Sequence, residues 1–170
     1  LALLNSAGNE LMLYYPWEQF LSTWSFDTVP GQSDYPIPAD WGYFIDQTQW
    51  DTTNRWPLLG PKSPQEWAWL KSGIVAAAPR MRFRVMQSKF QIWPVPEAVF
   101  NFRMEYCSKN WVMQNSTTPA SLVVSGSDMV LLHPWLMVKY LKLKFYELKG
   151  FDATGPQGDF TRIYLSLTGK

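Results

Sequence analysis

Between Thr48 and Gly73 the chain carries four tryptophans, three prolines and two glycines. Proline removes a ladder hydrogen bond from a strand and breaks the interior of a helix, so this stretch has to divide. Its second half predicts a helix. The Ser63 hydroxyl can cap, Pro64 fits the first helical position, and Glu66 stands three residues beyond the cap to close a capping box. Trp67 and Leu70 then fall about one turn apart, and Gly73 marks the stop. The first half, from Trp50 to Leu59, predicts a strand end broken by a turn at Asn54-Arg55 and closed by Gly60-Pro61. Trp50, Asn54, Arg55, Pro57, Ser63, Glu66 and Trp67 are therefore expected to be structural. Arg55 would fix the turn by stacking on an indole or reaching Asp51, and the tryptophans would lock the stretch onto a sheet.

Upstream, Leu4, Leu11 and Tyr15 recur on one side of a helix, in which Gly8 costs about 1 kcal/mol against alanine. Pro16 interrupts it, and Trp17, Phe20 and Leu21 point inward from a short turn or continuation. Period two follows, with Trp24, Phe26 and Thr28 alternating with Ser25, Asp27 and Val29. Pro30-Gly31 predicts a turn, Tyr35-Pro36-Ile37-Pro38 an extended segment, and the run from Trp41 to Thr48 a strand. Beyond the short helix, Ala76-Ala77-Ala78-Pro79 reads as a linker. Met81, Phe83 and Val85 then alternate with Arg80, Arg82 and Arg84, the pattern of a half-buried strand. A turn at Gln87-Ser88 leads to a strand from Lys89 to Trp93, ended by Pro94 and Pro96. Phe100, Phe102, Met104 and Tyr106 share a face of the next strand, which the run from Asn110 to Gln114 extends. Polar loops at 115–119 and 125–128 bracket 121–124.

The longest helix is predicted to start at Pro134, behind His133, and to end at Gly150. On a 3.6-residue wheel Met137, Val138, Leu141, Phe145 and Leu148 form one apolar stripe. Leu136, Tyr140 and Leu143 lie opposite, where a lone domain more often carries charge, and Lys139, Lys142 and Lys149 occupy a flank between. Two stripes imply two partners. One is the chain's own core; the other is a closing helix built on Phe160, Ile163, Tyr164 and Leu167, or a neighbouring subunit. Leaving a side chain such as Leu143 wet would forfeit about 1.5–3 kcal/mol. The fold class expected is α+β, a helical bundle from the terminal segments 1–21 and 127–170. An antiparallel β subdomain over 22–126, with a short helix at 63–72, is inserted between them.

A chain of 170 residues buries about two-thirds of its surface. Fifteen Lys and Arg against fourteen Asp and Glu leave a net charge of +1, unlike a dedicated nucleic-acid binder. The one cysteine, Cys107, cannot make an internal disulfide. No apolar run approaches the length of a membrane span, and no signal peptide is visible. A first residue of leucine leads to the expectation that a further segment precedes it. Ten Trp, eight Tyr and ten Phe exceed what one core of this size absorbs. Some rings are expected either in contacts with other chains or over loops.

Catalytic chemistry finds little purchase. His133 is the sole histidine; a nucleophile triad would need it as base, and one His with one Cys falls short of a zinc site. There is no glycine-rich phosphate loop. No catalytic, cofactor or metal residue is assigned, and an enzyme is not expected. Arg80, Arg82 and Arg84 form a row that is either solvated or meets phosphate or carboxylate. Two rivals stay open: a carbohydrate-binding tail module gripping sugars with exposed indoles, and a hydrolase centred on His133.

The run Trp50-Asp51-x-Thr53-Asn54-Arg55-x-Pro57-x-x-Gly60-Pro61-x-Ser63-Pro64-Gln65-Glu66-Trp67 resembles one found in tailed-phage and prophage head-to-tail adaptor (connector) proteins. Three further pieces are similar to that family in the same order. They are Ala2-Leu3-Leu4-Asn5-x-x-Gly8, Arg82-Phe83-Arg84-Val85, and Glu105-Tyr106-x-Ser108-Lys109-Asn110-Trp111-Val112; Lys149-Gly150-Phe151-Asp152 matches more loosely. The resemblance implies a structural virion protein in the neck between portal and tail, assembled in the host cytoplasm, with no cofactor and no membrane contact. It implies a homo-oligomeric ring, twelvefold to match a portal, that takes up a tail or nozzle protein and lets DNA pass. In such a ring Leu136, Tyr140, Leu143 and Phe151 are the expected interface, Arg80, Arg82 and Arg84 the candidates for the lumen, and the segment after Gly150 an arm toward the portal. The family also has another helix ahead of the present first residue.

Overall fold

The computed structural model describes residues 1–73 and 80–169, so the linker read at 76–79 lies outside the described residues. The chain forms two compact units, one from residues 1–20 and 108–170, the other from Leu21–Cys107. The class is α+β, with terminal helices and a central antiparallel β region. Residues 108–126, read from sequence as part of the β subdomain, group with the helices.

In the β unit, strand β1 (Leu21–Asp27) lies antiparallel to β8 (Asn101–Ser108), from Leu21 opposite Cys107 to Asp27 opposite Asn101. On the other edge of β8 sit β3 (Trp41–Phe44) and the two-residue β4 (Trp50–Asp51), and β4 carries β5 (Trp56–Pro57). A second sheet runs β2 (Asp34–Pro36), β7 (Lys89–Trp93), β6 (Arg82–Met86). Gln87 and Ser88 both adopt positive φ, as a two-residue hairpin whose twist matches its strands requires. Inward residues of both sheets share one core. Phe90 stacks on Phe83 with centroids 4.8 Å apart and meets Trp24, Phe26 and Phe44 edge-on. Such offset and edge-on pairs suit the ring quadrupole.

The strand read as running to Thr48 stops at Phe44. Thr48 turns its hydroxyl back to the Ile45 carbonyl at 2.8 Å, and Gln47 takes a φ of 63°. Leu21 opens β1 exposed rather than packing inward. Cys107 is buried, and that burial pushes its thiol pKa up.

The capping box is present in full. The Glu66 amide donates to Ser63 Oγ and the Ser63 amide to the Glu66 carboxylate, both at 3.2 Å, opening α2 (Pro64–Lys71). Trp67 and Leu70 are its buried residues. Gly60 lies so close to β6 that a Cβ there would stand 2.5 Å from the Phe83 carbonyl oxygen. That approach lets the amides of Leu59 and Lys62 donate to the carbonyls of Met81 and Phe83.

In the helical unit, α1 (Ala2–Tyr14) and α4 (Thr154–Thr168) both pack on α3 (Pro134–Lys149). Alongside is a small sheet of β9 (Val112–Gln114) flanked by β10 (Thr118–Ala120) and β11 (Met129–Val130). Asn110–Gln114 thus does not prolong the sheet of β8. It forms a separate hairpin, because Asn115 and Ser116, both at positive φ, turn the chain at once. Gly8 proves to be required rather than tolerated: a Cβ there would come within 2.2 Å of the Trp111 ring. Trp111, fully buried, donates its indole N–H to Asn9 at 3.0 Å. Asn5 clamps Val123 through both backbone groups, at 2.8 and 3.0 Å.

Candidate functional site

The sequence leaves both stripes of α3 apolar, and the structure decides between them. Leu136, Tyr140 and Leu143 are 0%, 1% and 6% exposed, whereas Trp135 and Leu148 are 65% and 72% exposed. Leu136, Tyr140 and Leu143, expected at the interface with a neighbouring subunit, are instead the inner stripe, covered within the chain. Val138 and Phe145 line the outer face with Trp135 and Leu148, and Phe151 continues it past the helix end, also exposed.

Burying Tyr140 is allowed because its hydroxyl is satisfied. It donates to the Glu10 carboxylate and lies 3.1 Å from the Tyr14 hydroxyl. Lys144 closes the group with an ion pair to Glu10 at 2.7 Å. The hydrogen bond from Lys144, then that from Tyr140, holds the Glu10 carboxyl below the usual carboxylate range, and the Glu10 bond in turn raises Lys144. Burial first, then the Glu10 carboxylate, pushes the Tyr140 phenol up. From the other side α4 contributes Phe160, whose ring centroid is 4.7 Å from that of Tyr140, and Asp159, paired with Lys139 at 2.7 Å. Phe160, Ile163 and Tyr164 are half-buried, as a closing helix requires, whereas Leu167 is exposed.

The outer face carries charge among its rings. Lys149 lies over Phe145 at 6.0 Å and Lys142 over Tyr146 at 5.7 Å. The Phe151 ring meets Tyr146 edge-on at 5.8 Å, folded back where Gly150 ends the helix at a φ of 69°. Four lysines against one glutamate give α3 a net charge of +3.

At the opposite end of α3, His133 occupies the N-cap position and borders a groove of about 550 Å³. Trp17, Glu18, Gln19, Met129 and Leu167 share its walls, and among the described residues no Ser, Cys, Thr or Asp lines it. His133 also borders a second groove with Ser166, but no carboxylate lines that one among the described residues, so neither groove gathers the three members of the triad weighed from sequence. Among the described residues no three His, Cys, Asp or Glu side chains converge as metal ligands. Nor is any helix long and apolar enough to cross a membrane.

Arg82 and Arg84 stand opposite Trp93 and Gln91 in the β6–β7 register, on the face turned away from Phe83 and Phe90, with Arg80 exposed just before the strand. In the turn, the Asp51 carboxylate is taken not by Arg55 but by the amides of Thr53 and Asn54, at 3.0 and 3.1 Å, and by the Asn54 side chain at 2.8 Å. Arg55 itself sits at a φ of 59°. Only Trp67 locks the stretch inward; Trp50, Trp56 and Trp69 are exposed. Of these three, Trp50 alone lines the groove formed with Gln47, Pro57 and Lys62, so they are not gathered into one sugar cradle there.

One exposed apolar face runs along α3 through Trp135, Val138, Phe145 and Leu148, a form that protein-binding surfaces take. The family model described as SU10 adaptor protein matches residues 1–158. The chain belongs to that family of phage head-to-tail adaptors and is a structural bacteriophage protein. No curated protein matches it. The pieces that carried the resemblance are contact partners in the fold. Gly8 seats Trp111 in the helical unit, and Gly60 seats Phe83 in the β unit.

Proposed function

We propose that this chain forms a ring between the portal and the tail of a phage, twelvefold to match the portal, taking up a tail or nozzle protein below and letting the genome pass. The ring assembles in the host cytoplasm before it reaches the virion neck, and its role is structural. The observation that carries it is the exposed stripe of Trp135, Val138, Phe145 and Leu148, continued by Phe151. Helices on a finished surface present charge there, and exposed apolar patches of this kind mark protein contacts. The subunit interface is accordingly assigned to this outer stripe.

The Arg80, Arg82 and Arg84 row is the candidate for the lumen. A net charge of +1 over the whole chain suits passage, since many phosphate contacts would hold DNA rather than release it. The segment after Gly150, expected as an arm toward the portal, instead folds back as α4 against α3. Val138→Asp tests the reading, because Val138 is exposed and central in the stripe. The expected result is an unchanged melting temperature with loss of rings in negative-stain images of the protein on purified portal. Undiminished rings would overturn the interface assignment, and a wild-type chain that never assembles on portal would overturn the function.

A further inference from the structure

We propose that copies join head to tail, the C-terminal end of α3 on one copy seating in the groove at the N-terminal end of α3 on the next. This rests on the ring reading above and names the surface that receives the stripe. The projecting part is Phe145, Leu148 and Phe151, exposed and flanked by Lys142 and Lys149. The receiving part is concave, of about 550 Å³, within the range of sites that enclose several side chains, with Trp17, Met129 and Leu167 among its walls.

Charge complements the shape. Among the described residues Glu18 is the one carboxylate lining the groove and no lysine or arginine lines it, whereas the projecting end carries Lys142, Lys144 and Lys149 against Glu147 and Asp152. A groove with one carboxylate and a ridge with a lysine excess, on the same unit, fit each other across copies. They cannot meet within one copy, because they lie near opposite ends of one rigid helix. Fourteen residues from Pro134 to Leu148 at 1.5 Å each separate them by about 21 Å. Two unlike patches so separated make a heterologous contact, the kind that propagates and closes into a ring when its rotation allows. A stripe pairing with its own copy would instead stop at a dimer and bring the Lys142 and Lys149 charges together.

The test uses two full-length variants altered only at exposed positions. One carries Leu148→Asp with Lys149→Glu and keeps its groove; the other carries Glu18→Lys with Met129→Lys and keeps its ridge. Circular dichroism and thermal melts check that each folds. Native mass spectrometry, at a concentration where the wild type assembles, is expected to show each variant alone as a monomer. An equimolar mixture should give dimers of one of each and nothing larger, since each member retains a single working patch. A chain carrying only Glu18→Lys and Lys149→Glu should regain assembly that either change alone removes. Rings persisting in both variants, or a mixture that stays monomeric, would overturn this pairing and leave the ring reading intact. A wild type that stays monomeric even on portal would remove both.

Discussion

The two units treat their aromatic residues differently. In the β unit Phe83, Phe90 and Phe102 are sealed in a core where one ring, Phe90, touches four others. In the helical unit the central ring, Tyr140, is held by a carboxylate, a second phenol and a lysine, while Trp135, Phe145 and Phe151 stand outside. The β unit closes its core around Phe90 but also leaves Trp50, Trp56 and Trp69 exposed. The other leaves a face of α3 uncovered and spends polar contacts on fixing which face that is. The densely sealed core of the β unit should therefore govern stability, and the uncovered face of α3 association.

The sharpest way to break that contrast is to compare Phe90→Ala with Leu148→Ala. Truncating a fully buried phenylalanine costs about 3–5 kcal/mol, and an exposed leucine costs within about 0.5 kcal/mol. Urea unfolding should show a large loss for Phe90→Ala and almost none for Leu148→Ala; comparable losses would mean that the outer stripe is part of the fold. Next in size, Gly8→Ala should destabilise by about 1–3 kcal/mol through overpacking against Trp111. Helix propensity alone predicts a gain of about 1 kcal/mol, so a rise in melting temperature would refute the close contact. Ser63→Ala removes the cap of α2 and should cost about 1 kcal/mol, with Ser63→Asp restoring most of it.

The smallest effect is the most diagnostic of the polar lock. Glu10 is depressed below its ordinary pKa of 4.5 in the folded chain. Its contribution is complete above that value and drains away as pH falls through the lower folded one. With both side chains about a third exposed, the ion pair is worth about 0.5–1 kcal/mol after solvent screening. Thermal melts between pH 7 and 3 should therefore show a shallower acid loss in Glu10→Gln than in wild type. Identical slopes would show that Glu10 does not anchor Tyr140.

What could be read from sequence was local. Ser63 and Glu66 are three residues apart, Gln87-Ser88 is its own turn, and Pro134 and Gly150 bound a helix by chemistry within one turn of each end. What escaped depended on partners far along the chain. Tyr140 faces inward because Glu10 waits 130 residues away, and no wheel of α3 alone contains that fact. Gly8 looked like a tolerated cost because the ring that fills its space belongs to Trp111. The Asp51 carboxylate looked open to Arg55, yet Thr53 and Asn54 were nearer in the turn. The boundary at residue 107 was missed because β9 has the composition of another rung, and only its pairing with β10 and β11 separates it.

Cys107 carries a practical consequence. The chain's one thiol lies inside the β unit, and its burial disfavours the reactive thiolate. A cysteine placed at Leu148 or Gln19 would then be the position that a maleimide dye or gold particle finds first. Fluorescence transfer between two dye labels would test whether copies of the chain come together while the native residue stays in place.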